Sequence, residues 1–142
     1  MNFEKIYDDS QLPVIKTKFS AGLDLYSYED VEIQPFETVV VGLGVRSHFT
    51  EPELRAGNNK CFILELRSSM RVKGLTSLGT GIIDMDYRGE WKEVICNLSQ
   101  DTYTIKKGDR IAQAVMISQM TGTLDEYYTF EARVGCFGST GE

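Results

Sequence analysis

The amino-acid sequence predicts an all-β protein, a jelly-roll-like barrel or sandwich with at most one short helix. Short runs of β-branched and aromatic residues, which favour strands, recur at fairly even spacing along the 142 residues. Gly, Asp, Asn and Pro separate these runs and favour turns. Many short strands at even spacing are typical of sandwiches, barrels and jelly rolls.

The individual elements follow from these runs in chain order. Residues 38–45 (TVVVGLGV), 61–66 (CFILEL), 93–98 (EVICNL) and 112–117 (AQAVMI) are predicted strands, being apolar and rich in β-branched side chains. Residues 102–105 alternate between polar and apolar side chains, as a half-buried strand does, and lead into a turn at 107–109. One short helix is predicted at 68–72, with Ser68 or Ser69 as its N-cap.

The C-terminal residues 133–142 (RVGCFGSTGE) contain three glycines and two hydroxyl side chains, and cannot build a core element. We therefore expect one domain at residues 1–130, followed by a flexible C-terminal arm at residues 131–142.

Composition and charge narrow the function classes. Hydrophobic residues make up 42% and charged residues 25%, the balance of an ordinary soluble globular protein. The sequence has no membrane-spanning apolar run and a start too polar for a signal peptide, so we expect a cytoplasmic protein (host cytoplasm if viral) without membrane contact. A net charge of −6 without a Lys/Arg-rich stripe disfavours nucleic acid as the main partner but not a single nucleotide.

Cysteine and histidine usage excludes two kinds of site. Cys61, Cys96 and Cys136 are far apart and odd in number, which argues against a disulfide framework and a zinc site and favours isolated buried thiols. His48 is the single histidine, so a His-rich metal centre is excluded, and no nucleophile motif stands beside it. We expect His48 at the surface or at a strand end.

The most informative segment is residues 79–90 (GTGIIDMDYRGE). Its glycines bracket two carboxylates and a tyrosine, which indicates a β-hairpin whose backbone approaches a ligand closely. On a strand, Asp84 and Asp86 would face the same side, one as a base and the other in structural contacts. The alternative is a hairpin tip with solvated carboxylates.

Two further segments suggest anion binding. In residues 64–70 (LELRSSM), Arg67 followed by Ser68 and Ser69 offers a bidentate clamp and hydroxyl donors for phosphate, or only a strand-to-helix cap. In residues 108–113 (GDRIAQ), Gln113 could orient phosphate or water. Taken alone, that segment is better explained as a β-turn with Asp109 and Arg110 paired at the surface.

Two more segments contain residues of special interest. In residues 21–27 (AGLDLYS), Asp24 interrupts an apolar pattern, and a buried carboxylate must be hydrogen-bonded or close to a cation. In the tail, Phe137 stands among Gly135, Gly138, Ser139 and Thr140. This pattern is compatible with a strap that stacks a ring on a base and donates hydrogen bonds to phosphate, or with a disordered terminus.

Together and in this order, the segments resemble the five motifs of the trimeric dUTPase family. The motifs are AGLDLYS at 21–27, RSS at 67–69, GTGIIDMDYRGE at 79–90, GDRIAQ at 108–113 and FGSTG at 137–141. The resemblance implies a jelly-roll homotrimer whose active sites are each built from all three subunits. It also implies a Mg²⁺-dependent hydrolase that splits dUTP into dUMP and pyrophosphate, keeping uracil out of DNA and supplying dUMP.

The resemblance assigns a role to each matching residue. Asp84 would be the general base that activates water for in-line attack on the α-phosphorus. The hairpin, with Gly81, Ile82, Ile83 and Tyr87, would bind uracil and the sugar. The remaining roles would be phosphate binding by Arg67, Ser68, Ser69, Gln113 and Arg133, water-mediated Mg²⁺ contact by Asp24, and closure over the substrate by Phe137, Gly138, Ser139 and Thr140.

Three positions depart from the family pattern. Ser69 stands where Gly is common, and Leu78 stands where many bacterial members have Asn. Arg133 is four residues before Phe137, where the family commonly has an Arg five residues before the Phe.

Three rival functions are compatible with the same fold. A dCTP deaminase would need an acid/base aimed at the base, which the hairpin and tail fit less well. A regulatory protein acting through a protein partner could use residues 49–60 as its contact loop. A structural capsid jelly roll would have no reason to carry these motifs together.

Overall fold

Eleven β-strands and two short helices form the regular structure of residues 1–55 and 60–118, the part of the chain that the computed structural model describes. The strands are β1 (Asn2–Lys5), β2 (Leu23–Tyr26), β3 (Val31–Ile33), β4 (Thr38–Gly42), β5 (Val45–His48), β6 (Lys60–Leu66), β7 (Leu75–Ser77), β8 (Gly81–Asp84), β9 (Lys92–Asn97), β10 (Tyr103–Ile105) and β11 (Arg110–Ser118). The helices are α1 (Glu51–Arg55) and α2 (Ser68–Arg71). The prediction of an all-β protein is confirmed.

The strands form four antiparallel sheets. The largest has the order β2-β11-β6-β8, and a second has the order β4-β9-β7. Two further pairs are β1-β5 and β10-β3. Most neighbouring strands are far apart in sequence, so long connections join the sheets.

The core lies between the sheets and is rich in large apolar side chains. Phe62 of β6 and Trp91 are fully buried, with ring centroids 4.9 Å apart, and Phe3 of β1 meets Trp91 edge-on at 5.1 Å. On β6, Phe62, Leu64 and Leu66 alternate inward, as a one-sided strand requires. Each such burial stabilises the fold by roughly 1.5–3 kcal/mol.

One predicted strand is two strands in the structure. Residues 38–45 divide into β4 and β5, because the chain bends at Leu43 and Gly44. Gly44 has a φ of 66°, and a Cβ there would lie 2.6 Å from Oγ of Ser10, so a side chain is excluded. Because residues 38–45 form a predominantly apolar run, their pattern does not indicate this break.

The helix prediction is partly wrong. Helix α2 is where it was expected, but its N-cap is Arg67, without a side-chain capping bond, and not Ser68 or Ser69. Helix α1 lies in the segment expected to be a loop and exceeds the predicted limit of one helix. Thr50 precedes it, and both its N–H and its Oγ1 donate to Oε2 of Glu53 at 2.8 Å. The bond from the N–H is one of the two bonds of a capping box.

The two described cysteines and the single histidine lie in the environments predicted for them. Cys61 and Cys96 are buried free thiols, and His48 is exposed at the end of β5, as predicted; Cys136 lies outside the described residues. Within the described ranges, no helix has the length and apolar character required to cross a bilayer. The boundary expected at residue 130 and the arm at 131–142 also lie outside those ranges.

Candidate active site

A row of polar side chains crosses one face of the four-stranded sheet. Gln113 of β11 is in register with Asp24 of β2 on one side and with Glu65 of β6 on the other. Residues in register on neighbouring strands point to the same face about 4.8 Å apart. Leu25 and Leu66, the next residues along β2 and β6, point into the core. The sheet therefore presents a polar site on its outer face.

Asp24 is the centre of this site. Its carboxylate is 8% exposed, and each oxygen accepts a hydrogen bond from a different arginine. Nη1 of Arg67 lies 2.6 Å from Oδ1, and Nη1 of Arg110 lies 2.9 Å from Oδ2. The expectation that Asp24 is hydrogen-bonded or close to a cation is confirmed. Two guanidinium groups on one carboxylate leave a net positive charge, which suits an anionic ligand.

Arg110 is a site residue that the sequence analysis missed. It was expected to pair with Asp109 at the surface, but Asp109 instead caps the turn, its Oδ2 accepting from the N–H of Lys106 at 2.9 Å. Strict alternation along β11 would turn Arg110 towards the core, on the side of Ala112. An irregularity in register between these two residues places Arg110 opposite Tyr26, on the same face as Asp24.

Arg67 occupies the junction between β6 and α2. Its N–H donates to the carbonyl of Ile111 at 2.9 Å, which ties the junction to β11. Ser68 and Ser69 follow at the start of α2, and both are exposed. The structure thus brings Arg67, Asp24 and Gln113 together, with the two serines adjacent in sequence to Arg67.

The hairpin with Asp84 begins on the edge strand β8. Gly81 allows close strand approach, because a Cβ there would lie 3.1 Å from Cβ of Leu64 on β6. Ile82 is exposed, Ile83 is buried in the core and Asp84, the last residue of β8, is exposed. The expectation that Asp84 and Asp86 share one side of a strand does not hold, because the chain turns at residues 85–86.

Tyr87 and Arg88 stabilise the turn. The N–H of Tyr87 donates to the carbonyl of Asp84 at 3.2 Å, and its phenol donates to the carbonyl of Glu90 at 3.1 Å. Nη1 of Arg88, which the sequence analysis did not single out, donates to the carbonyls of Met85 and Tyr87 at 2.6 and 3.1 Å. Its Nη2 donates to the carbonyl of Phe49 at 3.3 Å, which anchors the turn to the core. In the sequence, the only clue to this role of Arg88 is its position next to the hairpin tip.

Within one chain, the hairpin and the polar site are far apart. Asp84 is in register with Cys61, four residues before Glu65 on β6, which corresponds to roughly 13 Å along the strand. Strand β8 and the strand of Asp24 are at opposite edges of the sheet, three strand spacings or roughly 14 Å apart. Asp84 and Asp24 are therefore separated by roughly 20 Å.

Comparison with known proteins decides the family. A profile of the dUTPase family matches residues 8–141. The chain belongs to the dUTPase family. The deoxyuridine 5'-triphosphate nucleotidohydrolase of Nautilia profundicola is 36% identical over 150 residues, covering 100% of this chain and 99% of that protein. The Mus musculus protein of the same name is 31% identical and covers 100% of this chain and 85% of its own length.

Solved dUTPase structures share the fold. The dUTPase from Streptococcus mutans superposes with a TM-score of 0.73 at 28% identity, covering 87% of this chain and 99% of that chain. The dUTPase of Staphylococcus bacteriophage 80alpha has a TM-score of 0.74 at 25% identity, covering 92% and 97%. These likenesses confirm both the jelly-roll-like dUTPase fold and the family predicted from the five motifs.

Part of the expected dUTPase site lies outside the described residues. This applies to the tail residues Arg133, Phe137, Gly138, Ser139 and Thr140. Two of the three positions that depart from the family pattern lie in the described residues. Leu78 is 60% exposed, and its N–H donates to the carbonyl of Val94 at 2.9 Å. Ser69 presents its side chain at the surface of α2.

The donor set of the polar site suits a metal held through water. In residues 1–55 and 60–118, no three His, Cys, Asp or Glu side chains converge to form a direct metal site. Both oxygens of Asp24 already accept from arginines, yet an ionised carboxylate has about four lone-pair sites. Asp24 can therefore also accept from metal-bound water, which is the way that Mg²⁺ usually contacts proteins.

Proposed function

We propose that this protein hydrolyses dUTP to dUMP and pyrophosphate, keeping uracil out of DNA and supplying dUMP. The observation that carries the proposal is the Arg67–Asp24–Arg110 cluster beside Gln113, in a chain of the dUTPase family. A compact positive site of this kind suits a nucleoside triphosphate, whereas a chain of net charge −6 disfavours a nucleic-acid strand. The reaction takes place in the cytoplasm.

The phosphates bind at the polar site. Asp24 holds Arg67 and Arg110 in fixed orientations, so their remaining N–H groups are preorganised for phosphate oxygens. Ser68 and Ser69 add hydroxyl donors, and Gln113 supports the phosphate chain. Mg²⁺, contacted by Asp24 through water and bound mainly by the phosphates, would neutralise phosphate charge.

Uracil binds along β8. This strand pairs with β6 on one side only within the described part of the chain, so Gly81, Ile82 and Ile83 offer outward backbone donors and acceptors. Uracil presents N3–H between two carbonyls, and cytosine reverses part of that pattern, so a wrong base leaves buried groups unpaired. Tyr87, fixed through Glu90, packs against the sugar and excludes a ribose 2'-OH.

Asp84 acts as the general base. Phosphate-anhydride cleavage needs a positioned nucleophile and stabilised charge rather than a covalent intermediate. Asp84 accepts a proton from the water as that water attacks the α-phosphorus, and pyrophosphate leaves. Its exposed position at the end of β8 is compatible with access to water.

The complete site is assembled in a homotrimer. A separation of roughly 20 Å between Asp84 and Asp24 is too long for one nucleotide site in a single chain, so Asp84 and the phosphate-binding residues come from different copies. Exposed apolar side chains on the same sheet face support assembly, with Ile82 59% and Ile117 39% exposed. The arm expected at residues 131–142 supplies Phe137 to uracil and Gly138, Ser139 and Thr140 to the γ-phosphate, with Arg133 nearby.

The decisive experiment measures pyrophosphate release from dUTP in the presence of Mg²⁺. Wild-type protein should cleave dUTP, and Asp84→Asn should lower kcat by roughly 10²–10⁴-fold. Asp86→Asn makes the same chemical change in the same hairpin, and a much smaller loss is expected. An inactive wild type, or equal cleavage of dTTP and UTP, would overturn the proposal. Ammonia release from dCTP would identify a deaminase instead.

A second function through a protein partner is favoured by one comparison. The 80alpha phage dUTPase, 25% identical to this chain, is described as controlling the transfer of virulence genes by a G protein-like mechanism. The contact segment proposed for this role, residues 49–60, begins with Phe49 and Thr50 and contains helix α1. Loss of partner binding on substitution of exposed α1 residues, with dUTP cleavage unchanged, would support this function; unchanged binding would refute it.

A further inference from the structure

A buried carboxyl group lies beside the phosphate site and has no part in the function proposed so far. Glu93 of β9 is 3% exposed and has the same orientation as Ile95 and Asn97, which are fully buried. Its cross-strand partner Val41 is also fully buried. A carboxyl group in such a row destabilises the fold unless polar groups compensate, and an apolar side chain would suit the position better.

Glu93 interacts with two polar side chains from neighbouring elements. Ser77, the last residue of β7, is in register with Ile95 of β9, so its side chain lies on the same face as that of Glu93. Burial raises the pKa of the Glu93 carboxyl group, and a hydrogen bond from Ser77 and the charge of Arg71 on α2 partly oppose this shift. Within the described residues, Oε2 has no hydrogen-bond partner. The carboxyl group is therefore held by Ser77 and Arg71 on one side and by the core on the other.

Both partners of Glu93 also hold the backbone of Leu66. Oγ of Ser77 accepts from the N–H of Leu66 at 3.0 Å, and Nε of Arg71 donates to the carbonyl of Leu66 at 3.1 Å. Nη2 of Arg71 additionally pairs with Glu65. Leu66 ends β6, and the next residue is Arg67. The two side-chain contacts therefore fix the point at which the chain leaves the sheet towards Arg67 and Ser68.

We propose that Glu93 is a positioning residue that acts through Ser77 and Arg71 on Leu66 to aim Arg67, Ser68 and Ser69 at the phosphates of the substrate. The inference rests on the proposed function, because it assigns phosphate binding to that junction. The inference predicts that loss of Glu93 weakens the binding of the phosphate part of a ligand and not the binding of its uracil part. The uracil end is bound by the hairpin, which leaves the sheet from β8.

The test compares two ligands by calorimetric titration in Mg²⁺. One ligand is dUDP, which has both a base and phosphates, and the other is deoxyuridine, which lacks phosphate. The variants are Glu93→Leu, which removes the carboxyl group, and Ser77→Ala, which removes the bond to Leu66. The control is Ile95→Val, which trims a fully buried side chain of the same strand and removes no polar group.

Glu93→Leu and Ser77→Ala should each weaken dUDP binding roughly three- to tenfold, as expected for one lost hydrogen bond, and leave deoxyuridine binding unchanged. In the Glu93→Leu/Ser77→Ala double variant, the losses should not add, because both act through Leu66. Ile95→Val should change neither affinity. If Glu93→Leu does not fold, Ser77→Ala and Glu93→Gln take its place in the test. Glutamine keeps the shape of the side chain and loses the attraction to Arg71, so Glu93→Gln should also weaken the binding of dUDP and not that of deoxyuridine.

Equal weakening of both ligands would indicate a general loss of structure and overturn the inference, as would dUDP affinities equal to that of the wild type. These outcomes are distinct from failure of the proposed function. In that case the wild-type protein itself would neither cleave dUTP nor bind dUDP.

Discussion

Among single residues, Arg110 has a large expected effect on substrate binding. Its guanidinium shares the carboxylate of Asp24 with Arg67, so its removal takes away a phosphate donor and leaves Asp24 with one cation. We expect Arg110→Ala to raise the KM for dUTP roughly tenfold or more, because a hydrogen bond to a charged group contributes about 1.5–3 kcal/mol. Steady-state kinetics measures this effect. Arg46→Ala, which removes an exposed arginine paired with Glu4, is the control, and an equal KM in both variants would contradict the assignment.

Glu93 should make stability depend on pH. Burial raises the pKa of its carboxyl group above the ordinary value of 4.5, while the Ser77 hydrogen bond and the charge of Arg71 partly oppose this shift. A raised pKa means that the folded state holds the proton longer than the unfolded state. Its contribution is therefore fully present below pH 4.5 and is lost as pH rises through the folded-state pKa.

Removal of this titration should flatten the pH profile. We expect thermal denaturation to give Glu93→Gln a higher Tm relative to wild type at about pH 8 than at about pH 4, because glutamine does not ionise. Asp101→Asn, the same kind of change at an exposed carboxylate, is the control variant. A Tm difference between Glu93→Gln and wild type that is constant with pH would show that Glu93 does not titrate differently on folding.

The sequence singled out most of the described candidate site residues but did not reveal their contacts. Asp24 could be expected to have a hydrogen-bonding partner or a cation, because a buried carboxylate needs one or the other. That the cations are Arg67 and Arg110 could not be deduced. Arg67 is distant in sequence from Asp24, and Arg110 reaches the outer face only because of an irregular register that side-chain alternation does not reveal.

At the level of elements, the pairing of β8 with β6 sets the position of Asp84. Gly81 is close to Leu64, and a methyl group there would require β8 to move by a few tenths of an ångström. We expect Gly81→Ala to cost about 1–3 kcal/mol of unfolding free energy and to lower kcat for dUTP, because the displaced strand carries Asp84. Chemical denaturation and kinetics measure the two effects.

Gly79→Ala is the matched comparison for this prediction. A methyl group at Gly79 would meet nothing within 4 Å, but its φ of 86° is unfavourable for alanine. The cost there is local strain of roughly 1 kcal/mol without displacement of β8. If Gly81→Ala left kcat no lower than Gly79→Ala does, the close approach of β8 and β6 would have no role in placing Asp84.

Elements with a strong local pattern were predicted, and those defined by tertiary contacts were not. Strands β6, β9, β10 and β11 are within two residues of their predicted limits, because apolar or alternating runs specify them. Strands β3 and β7, of three residues each, were not predicted, because they are defined by their pairing with β10 and β9. Helix α1 was missed although Thr50 and Glu53 have the spacing of a capping box, because Pro52 suggested a loop.

At the scale of the whole molecule, the order of the motifs in the chain does not indicate which of them meet. Arg67 and Asp84 are 17 positions apart in the sequence, yet the register places Asp84 towards the opposite end of the sheet from the cluster of Arg67 and Asp24. No local pattern encodes such a separation, because it results from the antiparallel pairing of β6 with β8 and β11. Only the resemblance to trimeric dUTPases predicted that subunits share their sites.

Mixing two inactive variants tests this sharing directly. If Asp84 and Arg67 of one site come from different chains, trimers refolded from equal amounts of Asp84→Asn and Arg67→Ala contain sites with both residues intact. Each residue is intact with a chance of one half, so about a quarter of the sites should be active. At dUTP concentrations well below the KM, each variant refolded alone should have only a small fraction of the wild-type rate, and the mixture should release pyrophosphate from dUTP at about a quarter of the wild-type rate. If both residues of a site belonged to one chain, every site would lack one of them, and the mixture would be as inactive as its components.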